Sequence, residues 1–213
     1  MAHLTNTDGG AIGIYDRLAP VYDQHHQRWL RLSGGEAQAA LEAAVRVEMK
    51  PWSKLLDAGC GTGRFARRLL SESVRPDQIT LLDPSGAMLT HCADLPVETS
   101  RNRLEALPFP DACFDIVTCA WALETVPAPE AAVDELCRVL RSGGLLCLIF
   151  CAEKRPRKVL DWVMQKRITY SGAGRFLDTD QIGAHIRYAM TCDVQLLPSS
   201  GPAATLIARR HRA

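Results

Sequence analysis

The sequence predicts an α/β fold in three layers, with a mainly parallel sheet between helices and a last strand that runs antiparallel. Three observations predict it. Leu55-Leu-Asp-Ala-Gly-Cys-Gly-Thr-Gly63 carries a short apolar strand straight into three alternate glycines and a helical pattern, and twenty residues past Gly63 a second apolar run stops at Asp83. Short apolar segments then keep alternating with helical ones, as they do when helices cover both faces of a parallel sheet. Near the end, apolar residues 194–197 and 204–208 flank Ser-Ser-Gly-Pro, a hairpin able to supply the antiparallel strand.

Taken in order, residues 1–10 are polar and expected to be a disordered tail. Helices are expected over 14–29 and 35–48, the second with an apolar face of Ala37, Ala40, Leu41, Ala44, Val45 and Val47. Strands are expected at 54–57, 79–83, near 97–99, at 114–120 and at 145–151, with helices between them, followed by a helical region over 159–188 and the hairpin. No repeat or linker interrupts 11–213, and 213 residues that are 47% hydrophobic can bury one good core, so this stretch is read as one domain.

The glycine loop points to a nucleotide-like ligand. Gly59, Gly61 and Gly63 lack a Cβ, so the backbone can turn sharply and approach an adenosine lying over the helix start, while Asp83 is placed to accept from both ribose hydroxyls. A phosphate loop is excluded, because no Gly-x-x-x-x-Gly-Lys-Ser/Thr string exists. Gly61-Thr-Gly63-Arg-Phe-Ala66 fits a dinucleotide fingerprint, but Asp57 just before the loop would repel a pyrophosphate. The same carboxylate suits S-adenosylmethionine, which carries an ammonium group and a sulfonium centre.

With these strings in view, the chain resembles the class I S-adenosylmethionine-dependent methyltransferases, in the ubiquinone/menaquinone methyltransferase-like (methyltransferase type 11) subfamily. Tyr15-Asp-Arg-Leu-Ala-Pro-Val-Tyr22-Asp23 is similar to the lid before the core in that subfamily. Leu104-Glu-Ala-Leu-Pro-Phe-Pro-Asp111 with Phe114-Asp-Ile-Val-Thr118 resembles the stretch from the third to the fourth strand, and Glu135-Leu-Cys-Arg-Val-Leu-Arg-Ser-Gly-Gly144 the helix and turn before the fifth. The resemblance covers about residues 12–152 and is faint beyond. It implies a Rossmann-like sheet of seven strands, with a helical lid at 11–50, a cofactor-binding core at 51–152, and substrate-side helices and the hairpin at 153–213.

The resemblance also implies roles. Gly59 and Gly61 would let the backbone meet the methionine moiety, Asp57 would hold its amino group, Cys60 would fill the loop beside Gly63, and Pro84 would follow the ribose-binding Asp83. At the next strand end the family reads Gly-Asp-Ala, whose Asp accepts from the adenine amino group. This chain has Asn102-Arg103-Leu104 instead, so adenine recognition falls to the Leu104 N–H, to Asn102 or Glu105, or to stacking by Arg103. Ala120 to Val126 would border the sulfonium and the substrate, with Thr125 where many relatives have His. Tyr15 and Tyr22 would lie against the cofactor, and the catalytic candidates are Tyr22, Glu124 and His25, with His26 beside it. No metal site is expected.

Bulk properties bear on partners. A net charge of +1 gives no general attraction to nucleic acid. No apolar run approaches the ~20 residues needed to span a bilayer, the start has no signal-peptide shape, and a cytoplasmic location is expected. The 8 cysteines include no Cys-x-x-Cys and read as reduced, mostly buried small hydrophobes. Basic and apolar side chains interleave over 154–167, which suits peripheral membrane contact or an acidic amphiphile, or simply a core-facing helix with a solvated face. The expected activity is transfer of a methyl group by in-line displacement to a small-molecule or lipid-like acceptor, by a monomer or homodimer. A thiol, metalloid or protein acceptor, and a non-catalytic cofactor-binding role, are the alternatives.

Overall fold

The computed structural model describes residues 10–153, 174–197, 199 and 202–212. The polar segment 1–9 and the basic-apolar stretch 154–167 lie outside the described residues. Helices α1 (Gly10–Leu18), α2 (Tyr22–Trp29) and α3 (Gly35–Glu48) precede strand β1 (Leu55–Ala58). There follow α4 (Arg64–Ser71), β2 (Ile79–Leu82), α5 (Gly86–Thr90), β3 (Glu98–Ser100), β4 (Phe114–Ala120), α6 (Pro129–Val139), β5 (Leu140–Cys151), α7 (Thr179–Ala189), β6 (Cys192–Leu197) and β7 (Ala203–Arg210). The strands form a 7-stranded sheet in the order β3-β2-β1-β4-β5-β7-β6. Pairing is parallel from β3 through β5, and β7 runs antiparallel to both of its neighbours.

Period-two burial on both faces makes the three layers. Along β5, Leu145, Cys147 and Ile149 face one cluster, with Ala37, Leu41 and Val45 of α3 and Phe65 and Leu69 of α4. The alternate residues Leu146, Leu148 and Phe150 face the other, with Ala132, Val133 and Leu136 of α6 and Ile182 and Ile186 of α7. Strands buried on both sides have no polar face to show, which is why they read as continuous apolar runs.

Several expectations need correction. The single helix over 14–29 is three pieces: Pro20 cannot extend α1, and a 3-10 turn, Ala19–Val21, separates it from α2. Gly10, counted with the tail, begins α1. On α3, Val47 is 76% exposed, whereas Gln38 and Glu42 are buried. Those two are satisfied by one another at 2.9 Å, and Glu42 also pairs with Arg46 and Arg68. The fifth strand begins at Leu140 rather than 145, because the chain turns directly from α6 into pairing with Phe114 and absorbs a register shift before Ile116. Residues 174–178 are not helical; Leu177 bridges to Ala152, and α7 starts only where the Asp178 carboxylate accepts from the Asp180 and Gln181 N–H groups.

Leu146, fully buried in β5, has no room to collapse around a truncation. Leu146→Ala is expected to lose about 2–5 kcal/mol in urea unfolding, whereas Leu196→Ala, at a side chain 52% exposed on β6, should stay within about 0.5 kcal/mol of wild type.

Candidate active site

The carboxyl ends of β1, β2 and β4 open onto a cavity of about 440 Å³. The turn leaving β1 is tied to β2 by two bonds, from the Gly59 and Cys60 N–H groups to the Leu82 carbonyl at 2.7 and 3.0 Å. Asp83 holds the next turn: one carboxylate oxygen accepts from the Gly61 N–H and the other from the Ser85 N–H, both at 2.9 Å. Gly59 has φ +77°, and a Cβ there would lie 2.3 Å from the Ala122 Cβ. The glycine is therefore required first by the neighbouring loop, before any ligand is considered. That loop carries Trp121 at φ +61°, a costly conformation for a bulky residue, held by its N–H to the Ile149 carbonyl at 2.8 Å and its indole N–H to Gln38 Oε1 at 2.9 Å.

The first two helices close the cavity. Asp16 of α1 accepts from the Ser85 hydroxyl and the Ala87 N–H, so α1 is latched to the start of α5, which Ser85 caps by accepting from the Met88 N–H at 3.1 Å. Asp23 of α2 accepts from the Thr62 hydroxyl at 2.6 Å and pairs with Arg64 at 3.4 Å. Between these latches the rings form a continuous wall: Tyr15 meets Tyr22 edge-on, Tyr22 stacks on His26, and His26 and Trp29 both meet Trp121 edge-on. Behind the wall is a smaller chamber of about 200 Å³, lined by Tyr15, Tyr22, His25, His26, Trp29, Trp121, Glu124 and Cys151 among others.

Three buried carboxyls lie at this space or behind it: Asp83 and Glu124 line the cavity, and Asp57 lies behind the glycine loop. Burial raises Asp57 to about 6 against the lowering effect of the Thr118 hydroxyl, raises Asp83 against its two N–H donors, and raises Glu124 to about 7. Among the described residues, no cationic side chain forms an ion pair with any of them. Burial lowers His26 to about 4, with Arg64 adding to the effect, and burial holds the Tyr15 and Tyr22 hydroxyls well above their usual range. A ligand bringing its own positive charge would relieve this unbalanced acidity, so the donor set fits a group with an ammonium and a sulfonium.

The expected site residues divide into three sets. Tyr15, Tyr22, Gly59, Gly61, Asp83, Pro84, Arg103, Leu104 and Glu124 line the large cavity together. Asp57, Cys60, Gly63 and Ala120 do not line it. Asp57 lies behind the loop on Thr118 at 2.9 Å, the Cys60 thiol turns to the Gly61 carbonyl, Gly63 starts α4 against Cys92, and Ala120 is still in register with Ile149. His25 lines only the smaller chamber. Asn102 is engaged by the Ser100 hydroxyl at 2.9 Å, whereas Glu105 lines the cavity. Ser85, Met88, Gly174 and Arg175 also line it, without being singled out by the sequence reading. For Ser85 a signal exists, a serine directly before a helical segment, which marks an N-cap.

Comparison with known proteins agrees with this geometry. Residues 56–148 match the family model described as a methyltransferase domain. The chain is 32% identical over 187 residues to the ubiquinone/menaquinone biosynthesis C-methyltransferase UbiE of Shewanella piezotolerans, a match covering 79% of this chain and 70% of that protein. It is 37% identical over 130 residues to the enzyme of the same name from Methylobacterium nodulans, covering 56% of this chain and 52% of the relative, so here the match spans about half the relative's length. A crystal structure of a SAM-dependent methyltransferase from Thermotoga maritima superposes with a TM-score of 0.68 at 21% identity, covering 93% of this chain and 99% of that one.

The raised Glu124 carboxyl has a measurable consequence. The folded chain keeps its proton up to about 7 and the unfolded chain only to about 4.5, so the folded state holds more protons in that interval and loses stability as pH rises through it. Asp57 acts in the same direction up to about 6, while the lowered His26 acts oppositely between about 4 and 6.5. Glu124→Gln removes only the first contribution. Urea unfolding should therefore show the variant gaining on wild type between about pH 5 and about pH 8, by up to ~3 kcal/mol; a difference that does not change with pH would contradict the assignment.

Proposed function

The chain belongs to the class I S-adenosylmethionine-dependent methyltransferases, in the subfamily of the ubiquinone and menaquinone enzymes, and from that premise we propose that it methylates a planar, oxygen-bearing ring of the quinol or phenol class. The observation that carries this reading is a pair of adjoining cavities that share Tyr15, Tyr22, Trp121 and Glu124 in their walls. One is floored by the glycine loop and Asp83 and suits the donor; the other is lined by aromatic rings and suits a flat acceptor. The role printed for the relatives, C-methylation in ubiquinone and menaquinone biosynthesis, supports a ring carbon as the receiving atom.

S-adenosylmethionine, when bound, supplies a methyl group made electrophilic by its sulfonium. Asp83 would accept from the ribose hydroxyls with the lone pairs left after Gly61 and Ser85, and Arg103, Leu104 and Glu105 would border the adenine. Asp57, behind the loop, adds negative field where the amino group would lie. The shared wall sets the distance and angle between donor and acceptor, which is the main contribution to an in-line displacement. Closure of α1 and α2 over the site by the Asp16 and Asp23 latches excludes water from it.

Calorimetric titration tests the donor. S-adenosylmethionine and S-adenosylhomocysteine should bind and NAD should not. Asp83→Ala should weaken the first two by about tenfold or more. Because that change also strips an acceptor from the Gly61 and Ser85 N–H groups, Asp83→Asn, which keeps one oxygen, serves as the gentler variant and should fall between. Equal affinities for wild type and Asp83→Ala would remove the ribose role.

A further inference from the structure

We infer that Glu124 is the general base of the reaction, taking the hydroxyl proton of the acceptor as the new bond to the methyl carbon forms; this rests on the quinol or phenol reading above. One carboxyl oxygen of Glu124 is orphaned. Glu124 is 6% exposed; the Cys151 N–H donates to Oε1 at 3.2 Å and the Cys151 thiol also lies against the carboxyl, while Oε2 is buried with no hydrogen-bond partner among the described residues. A buried carboxylate oxygen left unpaired is costly, and such an atom in a native site calls for an absent partner. Glu124 lines both cavities, so the missing donor is assigned to a ligand.

Its placement is fixed from three sides. Glu124 sits in the 3-10 turn Leu123–Thr125 directly after β4; its carbonyl accepts from the Arg175 N–H at 3.0 Å, and Gly174 approaches so closely that a Cβ there would lie 3.2 Å from the Glu124 Cγ. Among the described residues, the titratable groups coupled to it are Tyr15 from α1, Tyr22 from α2, Cys119 from β4 and Cys151 from β5, while the Arg175 guanidinium is turned to the Val126 and Pro127 carbonyls. None of the four competes as a base, since burial holds each hydroxyl or thiol well above its usual range; of the two histidines on the smaller chamber, His26 is lowered by burial to about 4, a weaker base than Glu124, and His25 does not line the large cavity. Glu124 itself, raised to about 7, is matched to a base working near neutrality.

The step balances. The acceptor O–H bond breaks toward Oε2, its electron pair flows through the ring to form the new bond to the methyl carbon, and the carbon–sulfur bond breaks with its pair remaining on sulfur. For a ring-carbon acceptor this gives a cyclohexadienone; its ring proton then passes to water, the C–H electron pair restores the aromatic ring, and the ring oxygen takes back the proton held by Glu124, which returns the carboxylate to its starting state.

Glu124→Gln preserves shape and removes basicity. With a hydroquinone acceptor, kcat should fall about 100-fold or more while the acceptor KM moves only a few-fold, and the acid limb of the wild-type kcat/KM profile near pH 7 should vanish. Calorimetric binding of S-adenosylmethionine by the variant establishes that it is folded. Independently of turnover, infrared difference spectra of the protein alone should show a carboxylic-acid carbonyl band that disappears as pH rises through about 7 in wild type and is missing in the variant. An active wild type alongside a Glu124→Gln variant of equal kcat and unchanged pH profile would overturn the role of Glu124 alone. A wild type that binds the donor but methylates no hydroquinone or phenol would remove the acceptor reading and this role with it.

Discussion

The site is organised by one carboxylate. Asp83 stands where β2 ends, and by accepting from Gly61 on one side and Ser85 on the other it fixes the glycine loop and the start of α5 in the same frame. Ser85 in turn donates to Asp16, which brings α1 down over the cavity. Core, loop and lid are thus joined through a single buried side chain that also faces the ligand space. A ligand hydrogen-bonded to Asp83 would therefore be coupled to the position of α1, because it would change the charge that the two N–H groups and the Asp16 latch sense.

The second constraint is electrostatic. Asp57, Asp83 and Glu124 are all held above their ordinary range by burial, a cost that a cationic ligand would offset. Tyr15, Tyr22 and Trp121 line the cavity beside Asp83 and Glu124, and charge interactions are stronger in such low-polarity surroundings than in water. Trp121 occupies its place at the expense of a left-handed backbone, and the fold maintains it because Gly34 and Gly59 leave room on either side of that loop for its ring and for Ala122.

What the sequence made legible was local. The glycine string, the strand-terminal Asp83 and the apolar alternation are each written within a few residues, and they place seven strands and most of the cavity floor. The remainder depends on pairs far apart in the chain. That Gly59 must be small for Ala122 and that Asp16 meets Ser85 follow only from packing. Patterning misplaced Val47 because a buried glutamine and glutamate, paired with each other and with arginines, outcompete an apolar side chain for the inner face of α3. It missed the early start of β5 because Leu140 to Gly144 contains no apolar run; pairing with Phe114 draws that segment into the sheet.

The most direct measurement is of proton release. S-adenosylmethionine titrated into the protein near pH 7, in two buffers of different ionisation enthalpy, reports how many protons leave on binding. If the buried carboxyls exist to receive a cation, their affinity for protons falls when it arrives, and the heat should depend on the buffer with a net release, smaller for S-adenosylhomocysteine, which lacks the sulfonium charge. Heats independent of buffer for both ligands would contradict a site built around unbalanced negative charge.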